Sequence, residues 1–134
     1  MSSKMGIMRT AVAVLALAAV CLGARKLLGG WNEVAPNARH LELAHFAVAS
    51  QTEGLEYYNT VVEVTKASQQ VVAGMNYRLT LKVVPSTCKV AEDEYSKERC
   101  LPQPNAAVRE CVAKIYDIPW KHEREVTSFR CTVN

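Results

Sequence analysis

The stretch Gln70-Val71-Val72-Ala73-Gly74-Met75-Asn76-Tyr77-Arg78-Leu79-Thr80-Leu81-Lys82-Val83 decides how this chain folds. From Met75 to Val83 apolar side chains alternate with polar ones: Met75, Tyr77, Leu79, Leu81 and Val83 on one face, Asn76, Arg78, Thr80 and Lys82 on the other. A period of two is the mark of an antiparallel strand with one face buried and one in water. A second run with strand character, Tyr57 to Ser68, precedes it, so Gln70 to Gly74 is expected at the tip of a β-hairpin. Gly74 is where the chain must reverse, because a residue without a Cβ tolerates positive φ. The tip holds two valines and an alanine and has no charge, an odd cap for a hairpin that faces only water, and it reads as a surface that meets a partner.

Outward from the hairpin, residues 36–50 switch to a helical pattern. Pro36 is expected to open the helix, since its missing N–H would be unpaired there anyway. Leu43, Phe46 and Ala47 recur at i, i+3 and i+4, and Leu41, Ala44 and Val48 widen the stripe, so the helix should bury a broad face against the hairpin. Gln51 to Gly54 breaks it. Residues 85–107, with Pro102, Pro104 and no period, are expected to form an irregular excursion. Two further runs alternate: Glu110 to Tyr116, with Cys111, Ala113 and Ile115 on one face, and Glu125 to Val133, with Val126 and Ser128 opposite Thr127, Phe129, Cys131 and Val133. If these pair as a second hairpin, Cys111 and Cys131 are cross-strand neighbours, which favours a Cys111–Cys131 bridge and leaves Cys88 for Cys100. Asp117-Ile118-Pro119-Trp120-Lys121-His122 forms the loop, and Trp120 at its tip has little core to reach.

The chain has 134 residues, 49% of them apolar, enough for one small domain. Residues 1–24 read as a secretory signal peptide: Lys4 and Arg9 make a basic start, Ala11 to Leu22 an apolar run too short for a comfortable membrane span, and small residues follow at Gly23 and Ala24. Without it the formal charge falls from +3 to +1, so nothing in the overall balance points to nucleic acid. Cys21 leaves with it, and the four remaining cysteines suit a secreted, disulfide-bonded chain. The domain then spans residues 25–134. It begins with an arm, Arg25-Lys26-Leu27-Leu28-Gly29-Gly30-Trp31, whose end is apolar. His40 and His45 are five apart and off a common face, with no cysteine or carboxylate to complete a metal set. No serine or cysteine nucleophile with a base and an orienting acid is readable, so the chain is read as no enzyme, and no cofactor is implied.

The Leu-Leu-Gly-Gly arm, the Gln-x-Val-x-Gly turn at 70–74, Pro119-Trp120 and two consecutive cysteine pairs, in that order, resemble the secreted two-disulfide (type 2) cystatins over essentially all of residues 25–134. The ending Val126-Thr127-Ser128-Phe129-Arg130-Cys131 resembles members from ticks. The resemblance implies an α+β fold in which one long helix is gripped by a curled antiparallel sheet of about five strands, in agreement with the pattern reading. It also implies reversible inhibition of papain-like cysteine proteases such as cathepsins L and S; the protein is expected to be a monomer, although a domain swap through the 70–74 hinge is open. The resemblance carries over a protease-binding role to Gly29, to Gln70, Val71, Val72, Ala73 and Gly74, and to Pro119 and Trp120, with Leu28 as a supporting contact. Some members inhibit legumain-type proteases through the asparagine of a Ser-Asn-Asp turn after the helix. Ser50-Gln51-Thr52-Glu53-Gly54 has no such asparagine, so that activity is not expected. The rival to inhibition is a module of the same fold that binds a host receptor or surface ligand without touching a protease.

Overall fold

The computed structural model describes residues 30–133. The proposed signal peptide, Leu28 and Gly29 lie outside the described residues. Five strands and one helix follow in the order β1 (Asn32–Val34), α1 (Ala38–Ser50), β2 (Tyr57–Val72), β3 (Gly74–Lys89), β4 (Arg109–Ile118) and β5 (Glu123–Cys131), with a 3₁₀ turn at Pro119–Lys121. All strands join one antiparallel sheet in sequence order, each neighbour paired with the next. α1 lies against its inner face.

The period-two pattern of β3 does what it predicts. Tyr77, Leu79, Leu81 and Val83 are buried, and they meet Cys111, Ala113 and Ile115 from β4 and Leu43, Ala44, Ala47 and Val48 from α1. Burying a leucine or isoleucine of this kind stabilises the fold by roughly 1.5–3 kcal/mol each, so this cluster is the main reason the sheet closes on the helix. Both bridges form as the pattern suggested, Cys88–Cys100 and Cys111–Cys131, closing loops of 12 and 20 residues. Each restricts the unfolded chain by an amount worth about 3 kcal/mol on the loop-entropy account.

Four local expectations need correction. The helix is opened not by Pro36 but by Asn37, whose side chain accepts from the backbone N–H groups of Arg39 and His40, while the His40 ring accepts from the Asn37 N–H at 3.0 Å. That is a capping box with histidine in the place usually held by Glu or Gln, and Pro36 stands just before it. His40 is therefore the buried first residue of the helical stripe, and Leu41, expected inside, is 40% exposed. The strands of the first hairpin run further than predicted at both ends. Val72 pairs with Gly74, leaving Ala73 alone at the turn, and β3 passes through Pro85 to Lys89. Pro85 is tolerated because the ladder with β2 is irregular beside it and because the excursion supplies new partners: Thr87 N–H donates to Leu101 O, and Gln103 N–H to Pro85 O. Asp117 and Ile118, expected in the second loop, continue β4. Finally, Val126 does not oppose Phe129. A bulge opposite Lys114 and Ile115 adds a residue to β5, so that Val126, Phe129 and Cys131 all pack on the core.

The excursion is tied to the helix as well as to β3. Tyr95 hydroxyl lies within hydrogen-bond reach of both the His45 ring and Thr60, and it packs with Tyr58 beside the Cys88–Cys100 bridge. Burial holds the His45 pKa below its ordinary value of 6.5, Lys97 adds to the effect and Glu98 opposes it. The unfolded chain thus binds this proton more readily than the folded one. Stability from His45 is complete above about pH 6.5, declines as the pH falls below that value, and levels off beneath the depressed folded pKa. Urea unfolding at pH 7.5 and pH 5 should show the loss, and His45→Gln should make the dependence shallower. An unchanged slope in that variant would assign the acid sensitivity to other groups.

Candidate functional site: an apolar edge built from two hairpin tips

In an antiparallel sheet with neighbours in sequence order, alternate turns fall at the same end. The β2–β3 turn at Ala73 and the β4–β5 turn at Pro119–Lys121 are such a pair, and the register Met75↔Asp117 sets them side by side. β1 ends the row on the other side of β2, where Asn32 pairs with Gln69, so Trp31 lies toward the same end of the sheet.

The contact between the two tips is tight. Gly74 has φ +116°, and a Cβ built on it would come within 2.8 Å of the Asp117 carbonyl oxygen, 2.8 Å of a Tyr116 ring carbon and 3.1 Å of an Ile118 side-chain carbon. Glycine is thus needed twice over, for the backbone angle and for the approach. Tyr116 hydroxyl also donates to the Ala73 carbonyl, closing the turn onto the neighbouring hairpin. Within the first tip Asn76 Nδ2 donates to Gln70 Oε1 at 3.2 Å. Val71, Val72 and Trp120 stay outside all of this, with exposures of 40%, 39% and 67%. Trp120 sits in the 3₁₀ turn, with Pro119 at its start and His122 closing it in the left-handed conformation. The residues singled out at 70–74 and 119–120 therefore share one end of the sheet.

What the sequence did not announce is the mount beneath the second tip. Asp117 is buried at the end of β4. Its Oδ1 accepts from Arg124 Nε at 3.1 Å, and its Oδ2 faces Arg39 Nη1 of α1 at 3.6 Å. Arg124 reaches on to Glu42 of the helix at 3.4 Å and lies over the Phe46 ring. Partial burial works against the Arg124 charge, but the hydrogen bonds and charges of Asp117 and Glu42 outweigh it, and the guanidinium pKa rises. The network straps the base of the Trp120 turn to the helix across an open cleft of 360 Å³ lined by Arg39, Phe46, Asp117, Pro119, His122 and Arg124. Counting in the sequence did not offer it: from the Cys111–Cys131 pair Asp117 falls opposite Glu125, and only the bulge in β5 brings Arg124 across from it. Asp117→Ala should cost about 1.5–3 kcal/mol, the worth of the charged hydrogen bond from Arg124, which would keep only Glu42. Chemical denaturation would check it, and a change within 0.5 kcal/mol would mean that the strap carries no weight.

No group of three or more His, Cys, Asp or Glu side chains that could hold a metal occurs among the described residues. The edge offers shape and apolar surface, not a reacting group.

A family profile described as the Cystatin domain matches residues 29–120. The chain belongs to the cystatin family. It is 62% identical over 125 residues to Cystatin-1 of Ornithodoros moubata, covering 92% of this chain and 98% of that one. Mialostatin of Ixodes ricinus is 39% identical over 130 residues, 96% of this chain and 93% of its own. Among solved structures, a salivary cystatin from the soft tick Ornithodoros moubata superposes with a TM-score of 0.76 at 53% identity, covering 78% of this chain and 98% of that one. Mialostatin, a gut cystatin from a hard tick, gives 0.74 at 42% identity over 78% and 99%. Cystatins are inhibitors that bind papain-like cysteine proteases and are not enzymes, and this cystatin is of the tick type.

Proposed function

We propose that this cystatin is a secreted, reversible, tight-binding inhibitor of cathepsin L- and S-type proteases that plugs the active-site cleft with a three-part edge. The parts are the arm at Gly29 with Leu28 beside it, the tip Gln70 to Gly74, and Pro119 with Trp120. The observation that carries the reading is the docking of the first tip on the second hairpin through Gly74 and Tyr116, which fixes Val71, Val72 and Trp120 on one edge before any partner arrives. An edge ordered in advance loses little freedom on binding, and small apolar side chains suit a narrow, partly apolar groove. Gly29 lets the arm pass the catalytic thiolate without presenting a scissile bond in attacking geometry. Leu28 then fills the apolar subsite that reads the residue before the cleavage point. Residues 1–24 serve as the signal peptide and residues 25–134 as the inhibitory domain, a monomer. Related tick cystatins are salivary or gut proteins, which supports secretion.

Titration against active-site-counted papain and cathepsin L tests the function. Stoichiometric loss of activity that is recovered on dilution or displacement is the expected result. Full protease activity at equimolar inhibitor would reject it in favour of a cystatin-fold module with another ligand.

A further inference from the structure

The outer face of the sheet, opposite α1, carries charges that the overall balance conceals. Residues paired across the strands share a face, and the register builds two adjacent rows there. One reads Ser68, Arg78, Lys114, Ser128 across β2 to β5. The next reads Lys66, Thr80, Val112, Arg130. Arg78 and Lys114 are directly opposed, an arrangement of like charges that weakens a sheet. Lys66 and Arg130 sit diagonally beyond them. All four are exposed, and among the described residues none forms an ion pair. Arg78 instead lies 5.0 Å over the Trp31 ring. Carboxylates border this band without entering it: Glu33 in the row's β1 position beside Ser68, Glu63 held 3.8 Å from Lys82, Glu110 opposite Lys82, and Glu125 opposite Tyr116. Val112, Lys114, Ser128 and Arg130 line a shallow groove of 230 Å³ within it.

We propose that this band is a binding track for a sulfated polysaccharide. Four unpaired cations staggered over four strands cover about 14 Å at the usual spacing of strands, a line that a slim, densely anionic chain can follow. The shape argues against other polyanions. A bilayer needs a broad face and would be pressed against the bordering carboxylates. Single-stranded nucleic acid needs aromatic platforms for its bases, and neither row of the band carries an aromatic side chain. The track is on the sheet face and the inhibitory residues are at its end, so the two activities are separable.

The experiment uses the full domain, heparin octasaccharide in titration calorimetry and salt elution from immobilised heparin. The double variant Lys114→Ser/Arg130→Ser should lose about tenfold or more in affinity and show a shallower dependence on salt. Lys97→Ser, an exposed charge in the excursion, should change little. The double variant should melt no lower than the parent, because Arg78 is relieved of its opposed charge, and it should inhibit protease normally. Heparin binding unchanged in the double variant, or weakened equally by Lys97→Ser, overturns the assignment. So does tighter binding to phosphatidylserine vesicles or to single-stranded DNA than to heparin.

Discussion

Trp120→Ala should weaken inhibition of a papain-like protease by about 2–4 kcal/mol, roughly 30- to 1000-fold in the inhibition constant, while leaving the melting temperature nearly unchanged. The two halves of that expectation have one cause. The indole is 67% exposed on a turn with no buried residue, so the fold gains little from it. A protease that covers the edge would remove most of that surface from water, and the gain exists only in the complex. Paired inhibition and thermal-melt measurements separate the halves. A fall in melting temperature matching the loss of inhibition would mean that Trp120 serves the fold instead.

Gly74→Ala should do the reverse and damage both. Its φ of +116° strains any residue with a Cβ, and the added atom meets a backbone oxygen at 2.8 Å, which cannot swing away as a flexible side chain would. Strain of about 1–2 kcal/mol and overpacking of about 1–3 kcal/mol lead to an expected loss near 3 kcal/mol in urea unfolding. The first tip must also lift from Tyr116 and Ile118, so Val71 and Val72 lose alignment with Trp120 and inhibition weakens beyond what the unfolded fraction explains. Gly54 provides the control. It too has positive φ, at +75°, but open space where its Cβ would be, so Gly54→Ala should show the strain alone and leave inhibition intact. Equal losses for the two variants would show that the contact between hairpins contributes nothing.

The parts of this structure legible in advance are those governed by a repeating period. β3 and β4 alternate without interruption where they face the helix, so their buried residues and the Cys111–Cys131 pairing followed from counting. The expectations that failed lie where one residue breaks the count. The bulge in β5 moves Val126 to the same side as Phe129, and nothing in the residues around Thr127 marks the insertion. Pro85 looked like the end of a strand because it lacks an N–H, but the bonds that sustain the strand come from Leu101 and Gln103, far along the chain. From the sequence His40 is weighed only as a metal ligand and not as a core residue. Its ring meets the Asn37 N–H three residues earlier and Gln69 Oε1 at 3.3 Å, and the second of these becomes a neighbour only after folding. The edge itself was visible as misplaced apolar residues at two turns. The strap of Asp117 and Arg124 that steadies it was not, since a charged pair on a short hairpin reads as ordinary surface.

β2 and β3 each run 16 residues, a contour of roughly 50 Å at strand rise, with Ala73 at one extreme and the Cys88–Cys100 loop near the other. Along these two strands the Cys88–Cys100 loop therefore stands far from the proposed protease-binding edge. A fluorophore, an affinity handle or an antibody fastened to that loop should leave the proposed edge free to meet a protease and stay within reach once it has.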